Sequence, residues 1–413
     1  MRSQSSISKG DLTRKKKVFI MSHLTIKRGK TNSSSRKANC RKGAAIIFAA
    51  FLMSVLICML ALSIDIGYIA ATKAEARRTA DAAALAGAWQ VLDSIQLNKN
   101  SDVLLDDVNN TAMNIASLNT VCNLGPSLST TGQNTDISIG YLASLDSSAT
   151  VSSNSNNPYR AVRVRLRKIE ASNGQVPLFF ARFFGQTGCD LIVESTAATA
   201  IQIRGFNTPG TASTGLDLLP FALDEQTWLS LLNGCGNDSF KFNATNSTVT
   251  VGGDGIKEVN LYPQGTGSPG NRGTVDIGKS NNSTADLSRQ IVDGISTQDF
   301  IDLGKPLVLD ENGTMTLNGD TGISAGVKDE LASIIGQTRI IPVFSTVYGN
   351  GNNANFNIVR WVGVRIMAVK LTGSMSSKYL MVQPASVIAR NTVAGDMSRV
   401  WSDSIYSPVV LVK

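Results

Sequence analysis

The feature that most limits what this chain can become is Ala44–Ile64, 21 residues without a charge. As a helix rising about 1.5 Å per residue it would span about 31 Å, the thickness of a bilayer's hydrocarbon core. Arg41 and Lys42 close one end and Asp65 opens the other. A signal peptide is the competing reading, because Ala61-Leu62-Ser63 is a passable small-x-small cleavage site. Its n-region would be 42 residues long and its apolar run longer than an ordinary h-region, which favours an uncleaved anchor.

Charge orients that anchor. Residues 1–42 hold thirteen Lys or Arg and one acid, Asp11, a net of +12. The whole chain nets +8, so residues 43–413 net about −4. The basic character therefore belongs to the tail and not to a nucleic-acid-binding body, and the positive-inside rule puts the tail in the cytoplasm. Residues 1–39 are too poor in apolar side chains to offset ordering entropy, so the tail is expected to be disordered. A start at Met21 would shorten it without altering the topology.

Beyond the span the helical pattern runs on through "DIGYIAATKAEARRTADAAALAGAWQVLD". Alanine is the strongest helix former. Ala76, Ala80, Ala84 and Ala88 recur every four residues, with Ala83 and Gly87 beside them. Such a stripe lets another backbone approach closely. It serves either the domain's own sheet or a second chain, a homo-oligomer through the Ala-rich helix.

From Asn98 the texture turns to Ser, Asn, Thr and Gly, and strands are expected to replace helix. In "YRAVRVRLRK", Tyr159–Lys168, Val162, Val164 and Leu166 alternate with Arg163, Arg165 and Arg167, the signature of a half-buried strand. "VPLFFARFFG", Val176–Gly185, reads as a short apolar helix begun after Pro177 and stopped by Gly185. Leu191–Ile203 reads as another strand. A Gly/Thr/Pro linker around Phe206–Gly215 suggests a boundary. Later, Ile358–Leu371 and Lys378–Arg390 read as two long strands joined by "TGSMSS" in a hairpin. The expected fold class is α+β. Its parts are a disordered basic cytoplasmic tail (1–42), a transmembrane helix (43–64), a helix plus small α+β domain (65–205) and a mainly β domain (206–413).

The stretch Arg41–Ala88 resembles the N-terminal module of TadG-like proteins of the Flp (Tad) pilus assembly system. The matching residues are Gly43, Asp65, Gly67, Ala80, Asp81, Ala82, Ala83, Ala84, Leu85, Ala86 and Gly87. The strand at Ala161–Arg167, "VPLFFARFFG" and the Ala-rich strand near Ala197–Ala200 resemble the module's downstream part. The likeness covers residues 41–203. It implies a structural or assembly component anchored in the bacterial inner membrane, its C-terminal bulk outside the cytoplasm. The partners implied are membrane lipid and other pilus-assembly or pseudopilin subunits. Tad pseudopilins are processed at a Gly followed closely by Glu. After Gly43 the chain reads "AAIIFAA", so by resemblance it stays in the membrane.

Some relatives carry a von Willebrand A-type domain, whose metal site needs Asp-x-Ser-x-Ser after a buried strand. Thr372–Met375 is the nearest imitation, but Lys370 stands where the first aspartate belongs and would repel a divalent cation. "DSSAT", Asp146–Thr150, has the spacing without the strand. No metal ligands, cofactor or catalytic residues are expected. The one histidine, His23, lies in the tail, which excludes His-based triads and His metal sites from the outer part. The carboxylate pairs Asp224/Glu225, Asp310/Glu311 and Asp329/Glu330 read as solvated surface. The glycine-rich Gly252–Gly255 and Pro263–Gly273 lack the lysine and helix of a phosphate loop. Cys122, Cys189 and Cys235 fit no metal spacing and allow at most one disulfide. Asp65 is expected to mark the membrane edge, and Arg77 with Asp81 to form an i,i+4 ion pair. A tethered envelope-binding protein, recognising a polymer or surface ligand through Leu216–Lys413, is the alternative function.

Overall fold

The structure, a computed structural model, describes residues 42–96, 100–131, 135–153, 158–210, 215–262, 272–278, 283–349, 351–396 and 399–413. The basic tail and most of the Pro263–Gly273 stretch lie outside these residues. The architecture is α+β, with a long apolar N-terminal helix and a mostly β C-terminal region. Contacts divide the chain into two units at Met59/Leu60. The described part of the first is helical from Lys42, with the large apolar side chains Ile46, Phe48 and Phe51 exposed.

Helix α1 runs from Lys42 to Gln96. The second helix, α2 (Ser101–Leu118), stands where the sequence reading expected strands. Asn, Asp and Thr lower its intrinsic propensity. Yet Leu104, Val108, Ala112 and Ala116 fall four residues apart on one buried face, and the Asn100 side chain caps it by accepting from Val103 N. Burial of that face outweighs weak propensity. Thr111 bonds Gln90, and Thr79 bonds the carbonyl of Asn119, so α2 runs back antiparallel along α1.

The helix pair covers one face of an antiparallel sheet. Its strands are β1 (Ile137–Gly140), β2 (Ala161–Lys168) and β3 (Leu191–Ala198), and a closing strand Val410–Leu411 completes the order β1-β2-β3-closing. In β2 the expected alternation holds, with Val162, Val164 and Leu166 buried. The arginines on the other face are engaged: Arg165 with Glu194 at 2.6 Å, Arg167 with Asp136 at 2.7 Å and Arg163 with Ser138 at 3.1 Å. The strand expected over Leu191–Ile203 breaks after Ala198. There Thr199 and Ala200 exchange hydrogen bonds with Ser407, and a separate short strand, Ile203–Phe206, begins.

The second sheet contains β4 (Phe221–Asp224), β5 (Val259–Asn260), β6 (Arg272–Val275), β7 (Met315–Asp320), β8 (Thr338–Tyr348), β9 (Ala354–Lys370) and β10 (Tyr379–Pro384), in the order β5-β10-β9-β7-β6-β4-β8. Because β8 also pairs with β9 along most of its length, five of these strands close into a ring: β9, β7, β6, β4 and β8. Phe356 of β9 projects against Gly273 and Gly319. A Cβ on Gly273 would come within 2.4 Å of its ring, which is why glycine occupies that position. The expected hairpin is β9–β10, with the three-residue turn Met375–Ser377 in its connection, but the second strand, expected over Lys378–Arg390, ends at Pro384, and Val387–Ile388 pairs instead with Ile405–Tyr406.

Candidate functional site

Apart from Gly43, the family-motif residues gather along α1 between Asp65 and Gly87. Asp65 opens the series. Its carboxylate is 3 % exposed and sits against the start of a single helical turn, Ala181–Phe184. It accepts from the backbone N–H of Phe179 at 2.8 Å and of Ala181 at 2.7 Å, and from Phe180 at 3.0 Å. Burial raises the carboxyl's pKa. The three amides, with the nearby Arg182 charge, outweigh burial and hold it below the ordinary aspartate value. The sequence reading expected of Asp65 only a mark at the membrane edge and did not foresee these three backbone partners. Asp65 fastens a segment 114 residues away in sequence.

That fastening explains why "VPLFFARFFG" is not one helix. Val176–Pro177 pairs with Gly188–Cys189 as a short strand. The next amides point at Asp65, so only Ala181–Phe184 winds into a turn. Gly185 at φ 87 ends it, as the sequence reading required of that glycine. Tyr68, one turn beyond Asp65, meets the Phe179 ring edge to face at 5.2 Å. Phe183 and Phe184 stay 82 % and 70 % exposed, and Phe179 49 %. Sequence reasoning missed these amides and this exposure. The available signal was a run with two Phe pairs and a single polar side chain, Arg182.

Further along α1, Ala76, Ala80, Ala83, Ala84 and Ala88 are fully buried in one core with Val108, Ala112 and Ala116 of α2 and Val162 and Val164 of β2. Gly87 makes a close approach: a Cβ there would come within 3.0 Å of Val162 Cγ1 and 3.5 Å of Val108 Cγ1. The stripe packs against the chain's own helix and sheet. Leu85 packs at the edge of the same core, while Ala82 and Ala86 are half-buried. Asp81 pairs with Arg77 at 3.1 Å, as the i,i+4 spacing predicts. Arg77 also donates to the Glu194 carbonyl of β3 at 2.8 Å, tying helix to sheet. Gly67 has open space where a Cβ would stand. Gly43 lies in the first turn of α1.

Cys122, Cys189 and Cys235 are free thiols. Cys122 contacts Thr72 Oγ1 at 3.4 Å, and its backbone N–H donates to Glu75. Among the described residues, no group of three or more His, Cys, Asp or Glu is placed to hold a metal. Two of the carboxylate pairs do structural work. Asp224 caps a helix at Thr227 N, Glu225 pairs with Arg360, and Asp310 closes a turn onto Thr314. A cleft of about 430 Å³ lies around Asp286, Arg289 and Asp299. Its central charges satisfy each other, Arg289 donating to both Asp299 oxygens at 2.6 and 3.0 Å.

Two family models match the chain. Residues 43–90 match one described as Flp pilus-assembly TadE/G-like, and residues 70–197 match one described as Tad-like Flp pilus-assembly. No curated protein and no solved structure matches the chain. The two matches overlap across the buried alanine stripe, and the second ends within β3, in the sheet on which that stripe packs. Residues 43–197, the helix fastened at Asp65 together with the sheet it covers, are a TadG-like module of the Tad pilus-assembly family.

Proposed function

We propose that the protein is a membrane-anchored structural component of a Tad-type pilus assembly machine. Residues 43–64 would cross the inner membrane, the tail would lie in the cytoplasm, and Asp65 onward would stand outside. The observation that carries this reading is the coincidence of the family match at residues 43–90 with a helix apolar enough to cross a membrane, whose apolar window is wholly unburied by the chain itself. Lipid is the environment that removes such a surface from water at no cost in unsatisfied backbone groups. The role is mechanical. The module would supply a helix that continues from the span into a packed domain, and other Tad subunits would assemble against that domain. The division at residues 206–215 would separate this module from the β region it presents.

Deleting the gene is expected to abolish or sharply reduce pili and surface attachment, and plasmid-borne full-length protein should restore both. Normal piliation in the deletion strain would refute the reading. Alkaline carbonate extraction checks the anchor: the full chain should stay in the membrane pellet.

A further inference from the structure

We infer that Phe179, Phe183 and Phe184 form a second membrane contact, a loop foot that inserts into the headgroup region of the bilayer leaflet from which α1 emerges. The inference rests on the membrane anchoring proposed above. Three observations carry it. First, the level of the segment is fixed: its amides at 179–181 bond the carboxylate of Asp65, the residue directly after the uncharged run Ala44–Ile64. At about 2.0 Å rise per residue the backbone of Phe184 lies within about 8 Å of that level, and the polar interface outside the hydrocarbon core is itself about 5–8 Å deep. Second, the large apolar rings here are exposed where the fold had a core to offer. Phe183 is 82 % exposed and Phe184 70 %, in a turn held rigid by Asp65 and Gly185. Contiguous exposed aromatics of this kind mark an interaction surface. Third, Arg182 stands between the ring pairs, giving the apolar body and cationic head that interfacial segments combine. Ile64 and Ile66, the neighbours of Asp65 in sequence, are exposed as well. A protein partner docking on the rings is the other occupant, and the experiment separates it from lipid.

The test uses full-length protein in native membranes carrying a photoreactive benzoyl-phenylalanine at one position per variant: Phe183, Phe51 within the span, or Val251, an exposed residue in the second region. After irradiation, adducts are sorted by mass into lipid and protein. Position 183 is expected to give lipid adducts at a yield close to that of position 51 and about tenfold above position 251, the ratio that partial burial of one Phe ring implies. Lipid adducts at 51 but not at 183 would overturn the foot while leaving the anchor standing. A protein adduct dominating at 183 would likewise overturn it, in favour of a docking surface. No lipid adducts at 51 would overturn the anchor itself. An Asp65→Ala variant gives an independent check: with the tether gone, the lipid yield at 183 should fall toward that at 251 while the yield at 51 is unchanged.

Discussion

The two folded regions fill their interiors in opposite ways. Where α1 packs, the core presents small residues: Ala76, Ala80, Ala83, Ala84 and Ala88 share it with Ala112, Ala116 and Ala197, alongside larger neighbours such as Val108, Val162 and Leu166. Around the ring of strands it is built from large ones: Trp361 stacks edge-on to Phe206 at 5.5 Å, and Phe344 to Phe356 at 5.0 Å. A core of close backbones depends on what is absent from each side chain, so one methylene too many forces elements apart. A core of large rings depends on what is present, so its weakness is the cavity. The same contrast accounts for how the regions can be recognised. Small residues at fixed four-residue spacing leave a legible linear signature. Rings gathered from distant strands leave none, and the family matches stop at residue 197.

The largest effect should therefore come from deleting a ring. Trp361→Ala removes a fully buried side chain, its Phe206 contact and its bond to the Arg204 carbonyl. It is expected to cost about 3–5 kcal/mol. Urea unfolding of the full chain in nanodiscs measures it, and a cost under half of this would mean that the second core collapses around cavities. Next comes an addition. Ala84→Leu, at a fully buried position of the stripe, should cost about 1–3 kcal/mol through overpacking, although it adds apolar surface and keeps helix propensity. A neutral or stabilising result would break the comparison, since the first core would then have room.

Legibility follows the range of the interactions involved. The apolar span, the continuing helix and the strand at Ala161–Lys168 could be read because periodicity is local and a buried face imposes it. The strand pair Ala354–Lys370 and Tyr379–Pro384 could be read because a short connection joins them. Helix α2 was missed because its Asn, Asp and Thr resemble loop composition, and its apolar face of Leu104, Val108, Ala112 and Ala116 pays off only once α1 is beside it. The closure of the ring through β8 and β4, a parallel pairing between Val343 and Leu223, and the return of Val410–Leu411 to β3 are long-range and leave no local trace. At the candidate site Asp65 could be singled out, but its partners at 179–181 could not. A carboxylate that accepts from backbone amides needs no particular side chains across from it.

A smaller effect tests whether the two regions also differ in their response to acid. Asp65 has its carboxyl held below the ordinary range by backbone amides. In Asp299, burial raises the pKa, and bonds from Arg289 and Ser296 outweigh burial and lower it. A depressed folded value gives stability that is complete above the unfolded value, near about pH 4, and that is lost as the pH falls through the folded value. Both regions should therefore loosen on acidification and neither on moderate alkalinity. Amide protection, the intrinsic exchange rate at each pH divided by the observed one, should fall at Phe180 and at Ser296 below that pH. In Asp65→Asn the acid response at Phe180 should vanish, its protection being low at every pH, while Ser296 keeps its acid response. Equal loss of both in the single variant would show that the cores communicate through the closing strand.

The smallest effect concerns the surface of the small-residue core. Arg77 and Asp81 are partly exposed and one helical turn apart, so their coupling in a double-mutant cycle should be only about 0.3–0.5 kcal/mol, falling further in high salt. The single change Arg77→Ala should cost more than that coupling, because Arg77 also donates to the Glu194 carbonyl. Arg77→Lys should recover the ion pair but little of that bond, since an ammonium lacks the second arm that reaches β3. If Arg77→Ala costs no more than Asp81→Ala, the helix is held to its sheet by alanine packing alone. The contrast between the two cores would then extend to their rims.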